Sequence, residues 1–93
     1  MILPTDYIKL NGKKRKEVRE EYVERQNNKC MFCNEPLDKS PPSKITNRWI
    51  DWTLFPKGFL INKIHLQHNH YTGMTEGAVH AFCNAYLWQY EGK

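Results

Sequence analysis

The chain has 93 residues, of which 40% are hydrophobic and 26% are charged, and its formal net charge is +4. This composition is typical of a single globular domain, and it excludes a disordered chain or a long apolar membrane span. From the length we expect one domain over residues 1–93. Met1–Leu10 lacks the apolar core of a secretory signal, so we expect the protein in the cytoplasm, without a membrane partner. A domain this small buries a modest core, which makes a metal staple a reasonable expectation.

Four consecutive cations lie near the N-terminus, within a basic segment that covers about residues 1–16. Such a cluster suits contact with phosphate groups, and its contribution to binding should fall steeply with salt. A solvated entry to a helix explains the same run equally well, so DNA binding by these side chains is one of two interpretations. The four residues are Lys13, Lys14, Arg15 and Lys16.

A helix is predicted from Arg15 to Asn27, because this stretch lacks Gly and Pro and is rich in Glu, Arg and Lys. Glu21 and Arg25 form a favourable i,i+4 ion pair, and Val18 with Tyr22 supplies a thin apolar stripe. The asparagines at its end are expected to stop the helix just before the first cysteine.

The middle of the chain predicts a loop and then irregular β structure. Lys39–Lys44 contains two consecutive prolines, which oppose both helix and central strand. Residues Arg48–Phe55 and Phe59–Ile61 favour strands and flank Pro56-Lys-Gly58, so a hairpin or two irregular strands are predicted. Large aromatic side chains of this stretch are expected in the core, with stacking on nucleic-acid bases as the alternative. These are Trp49, Trp52 and Phe55.

A strand, a turn, a second strand and a helix are predicted in that order near the C-terminus. Ile64 and Leu66 alternate with His65 and Gln67, as in a half-buried strand. The closing helix is expected to carry two large apolar side chains inward. The predicted features are the turn His70–Gly73, a short strand at about Gly77–Ala81, a helix over Asn84–Tyr90, and the inward side chains Leu87 and Trp88.

Two short motifs with soft ligands favour a metal site. Cys30-x-x-Cys33 and His80-x-x-Cys83 each place two ligands on a tight turn, and together they supply a tetrahedral Cys3His set for zinc. Three cysteines cannot pair completely as disulfides, and a thioredoxin-like redox pair leaves the third cysteine, at matching spacing, unexplained. We therefore expect one structural Zn²⁺, which links the N-terminal half to the closing helix across 46 residues.

Three histidines crowd into the end of the predicted strand and its turn. Each of them alone would be interpreted as a surface histidine. The order of strand, strand and helix, however, brings an imidazole from the strand end close to Asn84 at the helix start. A neutral imidazole takes a proton from water at neutral pH, and an amide oxygen suits a hard cation such as Mg²⁺. The three residues are His65, His68 and His70.

These residues carry a resemblance to a known family. Cys30-x-x-Cys33, then His68-Asn-His70-Tyr-Thr-Gly73, then Cys83-Asn84 resemble the recombination endonuclease VII branch of the HNH (His-Me finger) endonucleases. The helix before the first cysteine resembles the lead-in helix of that branch, so the likeness covers roughly Tyr22 to Leu87. It implies an α+β fold, a small ββα-metal domain with an N-terminal helix, that hydrolyses double-stranded or branched DNA.

The resemblance also implies a role for each matched residue. His68 becomes the general base that activates water, and His70 a second active-site histidine that assists it or orients the phosphate. Asn84 becomes a ligand of a catalytic Mg²⁺ or Mn²⁺. The structural zinc set is Cys30, Cys33, His80 and Cys83.

Three positions depart from the family pattern. Gln67 stands where the family has an acidic metal ligand, so the catalytic metal is expected on Asn84 together with Gln67 or His65. His80 stands where the second pair of zinc ligands in this family commonly begins with cysteine, a change that zinc tolerates. Glu76 stands where an arginine often follows the turn, and it is either a replacement carboxylate ligand or a lost phosphate contact.

A metal-dependent DNA endonuclease is the leading interpretation, and two alternatives come from other classes. The first is a zinc-stabilised nucleic-acid-binding module without catalysis, which the basic run and Gln67 favour. The second is a protein-interaction domain that keeps the same scaffold. A nuclease this small is expected to have little sequence specificity, or to take it from a second copy of the chain or a partner protein.

Overall fold

Two helices pack against a two-stranded antiparallel sheet, and the computed structural model describes residues 1–92 of the chain. The sheet consists of β1 (Ile64–His68) and β2 (Thr75–His80). Helix α1 (Gly12–Arg25) precedes the sheet, α2 (Ser43–Thr46) is a single short turn of helix, and α3 (Ala81–Glu91) follows β2 directly. The α+β class predicted from the sequence is therefore confirmed.

The two strands lie where the sequence predicted them, with a shift of about two residues at the start of the second. Ile64 is opposite His80 and Gln67 is opposite Gly77, and the register is irregular between Gln67 and His68. The turn between the strands is closed by Asn69, whose side-chain oxygen accepts the backbone N–H groups of the two residues at the turn's tip. The irregular register and the turn place His68 at the end of the sheet.

Helix α1 begins three residues earlier and ends two residues earlier than predicted. It begins at Gly12 because the side-chain oxygen of Asn11 accepts a hydrogen bond from the backbone N–H of Lys14 at 2.8 Å, which is an N-cap. It ends at Arg25 because Asn27 adopts a left-handed φ of 54°, which an α-helix excludes. The predicted ion pair from Arg25 to Glu21 is confirmed, at 2.8 Å.

The free edge of β2 is covered by Gln26, immediately after α1. Its side-chain oxygen accepts the N–H of Ala78 at 2.9 Å, and its Nε2 donates to the carbonyl of Ala78 at 2.9 Å. The amide of Gln26 thus pairs with the strand as a neighbouring strand would. Gly77 lies beside this amide, and a Cβ at Gly77 would lie 2.8 Å from Met31 Sδ and 2.9 Å from Gln26 Oε1, so these side chains would have to shift.

The hairpin predicted over Arg48–Ile61 is wrong. Within the described part of the chain this stretch forms no strand, and it contains a 3-10 turn at Trp52–Leu54 followed by further turns. Asp51 caps that turn by accepting the N–H of Thr53 at 3.1 Å, and Pro56 has no N–H for a strand ladder. The loop predicted at Lys39–Lys44 is also shorter, because α2 begins at Ser43.

The predicted aromatic core is wrong as well. Trp49 is 70% exposed, Trp52 is 40% exposed and Trp88, predicted to point inward, is 43% exposed, whereas Leu87 is buried as predicted. Phe55 is half-buried against Trp88, with ring centroids 5.6 Å apart. The interior is filled by aliphatic residues, small residues and cysteines. Its buried cluster is Cys30, Leu37, Ile45, Ala78, Val79, Cys83 and Leu87.

None of the helices formed by residues 1–92 has the length and apolar character needed to cross a membrane.

Candidate metal centre and adjoining histidine cleft

The first pair of candidate ligands lies on a tight hairpin that follows α1. The N–H of Cys30 donates to the carbonyl of Glu35 at 2.9 Å, and the N–H of Asn34 donates back to the carbonyl of Cys30 at 2.9 Å. Asn34 adopts a φ of 63°, a left-handed conformation that asparagine tolerates better than most residues. The hairpin therefore turns both thiols, of Cys30 and Cys33, toward the start of α3.

The second pair comes from the junction of β2 and α3. His80 is the last residue of β2 and the N-cap of α3, and Cys83 lies in the first turn of that helix. The Nε2 atom of His80 lies 2.8 Å from the carbonyl oxygen of Pro36, which can only accept, so Nε2 carries the proton. Nδ1 is then the atom available to a metal, in the arrangement that orients most metal-binding histidines.

The four candidate ligand atoms lie within 4.8 Å of one another. His80 Nδ1 is 3.4 Å from Cys33 Sγ and 3.6 Å from Cys83 Sγ. A tetrahedral zinc with ordinary Zn–S and Zn–N bond lengths requires S···N edges of about 3.6 Å. The residues present fit a zinc ion, and the predicted Cys3His group is confirmed as one that could hold a metal.

The three thiols lie close enough to shift one another's pKa, and a bound cation would offset the repulsion between their thiolates. A hydrogen bond with the Cys83 thiol lowers the pKa of Cys30, and the same bond raises the pKa of Cys83. Burial raises the pKa of Cys33. Neighbouring thiolates repel one another, so binding a divalent cation is favoured over carrying several negative charges in one buried place.

An open cleft of about 380 Å³ adjoins β1 and the start of α3. Five residues predicted for catalysis or for the catalytic metal line it, and so do four residues that precede or belong to α1. The first group is His65, Gln67, His68, His70 and Asn84, and the second is Tyr7, Gly12, Arg15 and Arg19. The structure thus brings the predicted cluster together and adds positive charge to it.

The side chains of His65 and Asn84 are joined across this cleft. His65 Nε2 lies 2.9 Å from the carbonyl oxygen of Phe59 and therefore donates to it. The other nitrogen, Nδ1, then accepts from the Asn84 side-chain N–H at 3.0 Å. Both ring nitrogens of His65 are engaged with protein, and Asn84 is oriented with its amide nitrogen toward His65 and its oxygen turned away.

His68 lies beside this pair and is held by ring contacts. Its ring centroid is 3.9 Å from that of Tyr7, with an angle of 5° between the planes, and 4.8 Å from that of His70. Burial lowers the pKa of His68, and the positive charges of His70 and Arg15 lower it further. The imidazole is therefore neutral at neutral pH, which is the form that accepts a proton.

Gln67 and Glu76 contact each other at the border of the cleft. Gln67 is 2% exposed, although the alternation predicted for a half-buried strand assigned it to the polar face, opposite Ile64 and Leu66. Its Nε2 donates to the carbonyl of His68 at 3.1 Å and to Glu76 Oε1 at 3.3 Å. Glu76 is exposed and lines a neighbouring groove with Met31, on the other side of Gln67.

Helix α1 directs the side chains of the basic run Lys13–Lys16 into different environments. Arg15 is half-buried and lines the cleft, whereas the three lysines are exposed. Arg19 lies four residues after Arg15, one turn further along α1, so helical spacing could have indicated it as a second cleft residue. Tyr7 had no sequence signal, because its contact with His68 joins residues far apart in the chain.

Comparison of the chain with protein-family models, with curated proteins and with solved structures gives no significant match. The site is defined by its own geometry: a four-residue group that could hold one metal ion, and beside it an open cleft that contains three histidines and an asparagine.

Proposed function

We propose that this chain is a metal-dependent DNA endonuclease of the HNH (His-Me finger) type, in which β1, β2 and α3 form a ββα-metal unit. The observation that carries the proposal is the shared cleft of His68 and Asn84. One comes from the end of the first strand and the other from the first turn of the closing helix. In this proposal His68 is the proton acceptor and Asn84 the hard-cation ligand, and both line one cleft beside the Cys3His group.

In this proposal His68 is the general base. Its neutral ring takes a proton from the water that attacks the phosphodiester, and its lowered pKa keeps it in the accepting form at neutral pH. His70, whose ring lies 4.8 Å from His68, assists it or orients the phosphate.

Asn84 supplies the ligand of the catalytic metal through its side-chain oxygen. His65 serves best as the residue that orients Asn84, because both of its own ring nitrogens are engaged. Bound Mg²⁺ or Mn²⁺ supplies Lewis-acid stabilisation of the charge that develops on the phosphate and the leaving oxygen. The residues fit a hard cation of this kind, since the cleft offers amide oxygens and room for water.

Gln67 contributes a carboxamide where the resembling family has a carboxylate. A carboxamide offers only its oxygen to a cation and no negative charge, so we expect weaker binding of Mg²⁺ than a carboxylate would give. Glu76 acts by accepting a hydrogen bond from the Gln67 amide at 3.3 Å, which orients that amide. It lies outside the residues that line the cleft, which favours this role over direct ligation.

DNA, double-stranded or branched, is the proposed partner. Arg15 and Arg19 bring two positive charges to the cleft, where they are suited to contact the DNA phosphates next to the scissile bond. Exposed Lys13, Lys14 and Lys16 extend this charge over the surface of α1. Sequence or branch specificity would come from a second copy of the chain or from a partner protein.

The metal held by the Cys3His group is proposed to be one structural zinc. All four coordination positions are taken by protein side chains, so the ion would have no open position for substrate. The zinc would fix the hairpin of Cys30 and Cys33 against the start of α3. It would thereby help to position Asn84, which follows Cys83 directly in that helix.

The experiment that tests this proposal is cleavage of supercoiled, linear, single-stranded and branched DNA with Mg²⁺ or Mn²⁺. Wild-type protein is expected to cut at least one of these, and Asn84→Ala to lose activity. Asn47→Ala, at an exposed position beyond α2, is the matched control and should cut like wild type. A protein that cuts none of the substrates with either metal, while retaining its zinc, would refute the proposal.

A second candidate is a zinc-stabilised nucleic-acid-binding module without catalysis. The specific observations that favour it are the neutral Gln67 and the exposed indole rings of Trp49 and Trp52, which are available for stacking on bases. This candidate predicts DNA binding that survives EDTA and no cleavage with any divalent metal. Because EDTA slowly removes zinc, the zinc content of the protein is measured in the same samples.

A further inference from the structure

The segment that precedes α1 is fixed to the start of β2 by backbone hydrogen bonds. The N–H of Tyr7 donates to the carbonyl of Gly73 at 2.8 Å, and the N–H of Thr75 donates to the carbonyl of Thr5 at 2.8 Å. The N–H of Thr5 also donates to the hydroxyl of Thr75 at 3.0 Å. Tyr7 is therefore held by its main chain above the turn that joins β1 to β2.

From this position the side chain of Tyr7 forms the middle layer of a three-layer stack. Its ring lies nearly parallel to that of His68, with centroids 3.9 Å apart. The guanidinium carbon of Arg15 lies 4.0 Å from the centroid of the Tyr7 ring, and Arg15 Nη2 donates to the carbonyl of Tyr7 at 3.4 Å. Arg15 thus supports Tyr7 both through its ring and through its main chain.

A stack fixes an imidazole differently from a hydrogen bond. Catalytic and metal-binding histidines are commonly oriented by a hydrogen bond to one ring nitrogen, which commits that nitrogen. A ring placed against the face restricts rotation of the imidazole and leaves both nitrogens, which lie at its edge, accessible for proton transfer. The Tyr7 ring contacts His68 in this way, on the same cleft that Asn84 lines.

We propose that Tyr7 is a positioning residue of the nuclease site, whose ring, backed by Arg15, holds His68 in the orientation in which it takes a proton from water. This inference rests on the proposed function. It places part of the active site outside β1, β2 and α3, in a segment some sixty residues earlier in the chain than His68.

The test compares full-length variants at one position. Tyr7→Phe keeps the aromatic face, and Tyr7→Leu keeps apolar volume without a ring, so a mere packing role would be satisfied by both. Tyr71→Leu is the matched control, since Tyr71 is 93% exposed in the neighbouring turn. Each protein is first shown to bind the same amount of zinc and to unfold at the same temperature as wild type.

Two readouts are taken, steady-state cleavage and the NMR chemical shifts of the His68 ring protons at a pH where the ring is neutral. We expect Tyr7→Phe and Tyr71→Leu to match wild type in both. We expect Tyr7→Leu to lower kcat by about a hundredfold with little change in KM, as a misplaced catalytic group does. The ring-current displacement of the His68 signals, present in wild type and Tyr7→Phe, should be lost in Tyr7→Leu.

Two results would overturn the inference while leaving the proposed function intact. In one, Tyr7→Leu cleaves DNA with the kcat of wild type, whatever the His68 signals do. In the other, kcat falls but the His68 signals stay at their wild-type positions. If wild-type protein cleaves no DNA, the proposed function fails and this inference fails with it, whether or not the NMR signals report the stack.

Discussion

Replacement of His80 by alanine removes one of the four candidate metal ligands and is expected to destabilise the whole domain. A metal ion held by the four ligands would join Cys30-x-x-Cys33 to His80-x-x-Cys83, two motifs separated by 46 residues. Releasing a cross-link over an interval of that length costs about 4 kcal/mol in loop-closure entropy alone. The total free energy of unfolding expected for a domain of this size is about 5–14 kcal/mol. Each kcal/mol corresponds to about 4–8 °C in Tm, so we expect a fall of at least about 16 °C.

The assay is thermal unfolding followed by circular dichroism, with the zinc content of each sample measured alongside. Because His80 is buried, a cavity alone would also lower Tm, and His80→Cys separates the two causes. Cysteine leaves nearly the same cavity as alanine but restores a four-ligand set, so His80→Cys should recover zinc and most of the lost Tm. His70→Ala, at an exposed imidazole, should keep both. Full zinc occupancy in His80→Ala, or no recovery in His80→Cys, would refute the reasoning.

Further predictions concern the pH dependence of cleavage and the stability of the fold. Burial and the charges of His70 and Arg15 lower the pKa of His68, so its ring stays neutral at pH values below the ordinary pKa of histidine. Wild-type cleavage should therefore persist below about pH 6.5. Arg15→Gln removes a charge that lowers this pKa, so the acidic limb of kcat/KM should move to higher pH; an unmoved limb would contradict it. Gly77→Ala should lower the free energy of unfolding in urea by about 1–3 kcal/mol, because its Cβ would enter the space of the Gln26 amide. Trp49→Ala should change that free energy by no more than about 0.5 kcal/mol, and a larger loss would indicate a packing role.

The features that the sequence predicted correctly depend on short intervals of chain. Two ligands separated by two residues fall on one turn whatever the rest of the fold does, so Cys30 with Cys33 and His80 with Cys83 could be paired from spacing. Alternation over Ile64–His68 likewise predicts a strand, since successive side chains point to opposite faces. The closing helix was also placed correctly, although its start at Ala81 was missed.

The features that the sequence did not predict depend on tertiary contacts. The residues Arg48–Ile61 have strand-forming side chains, yet within residues 1–92 no strand lies beside this stretch, and Asp51 caps a turn instead. Trp49 was expected inside because a small domain needs bulk, but the cysteines, alanines and aliphatic residues fill that volume. Tyr7 and His68 meet through a docking of the N-terminal segment on β2 that no local pattern encodes.

The most direct test of the proposed function is the cleavage rate of His68→Ala beside wild type, with Mg²⁺ or Mn²⁺ and with zinc content measured in both. Loss of a general base should lower kcat by at least about a hundredfold, and added imidazole should restore part of it by entering the space of the missing ring. Zinc should remain at one ion per chain in both proteins, because His68 lies outside the Cys3His group. Equal cleavage by His68→Ala and wild type would contradict the assignment of this cleft as the nuclease site.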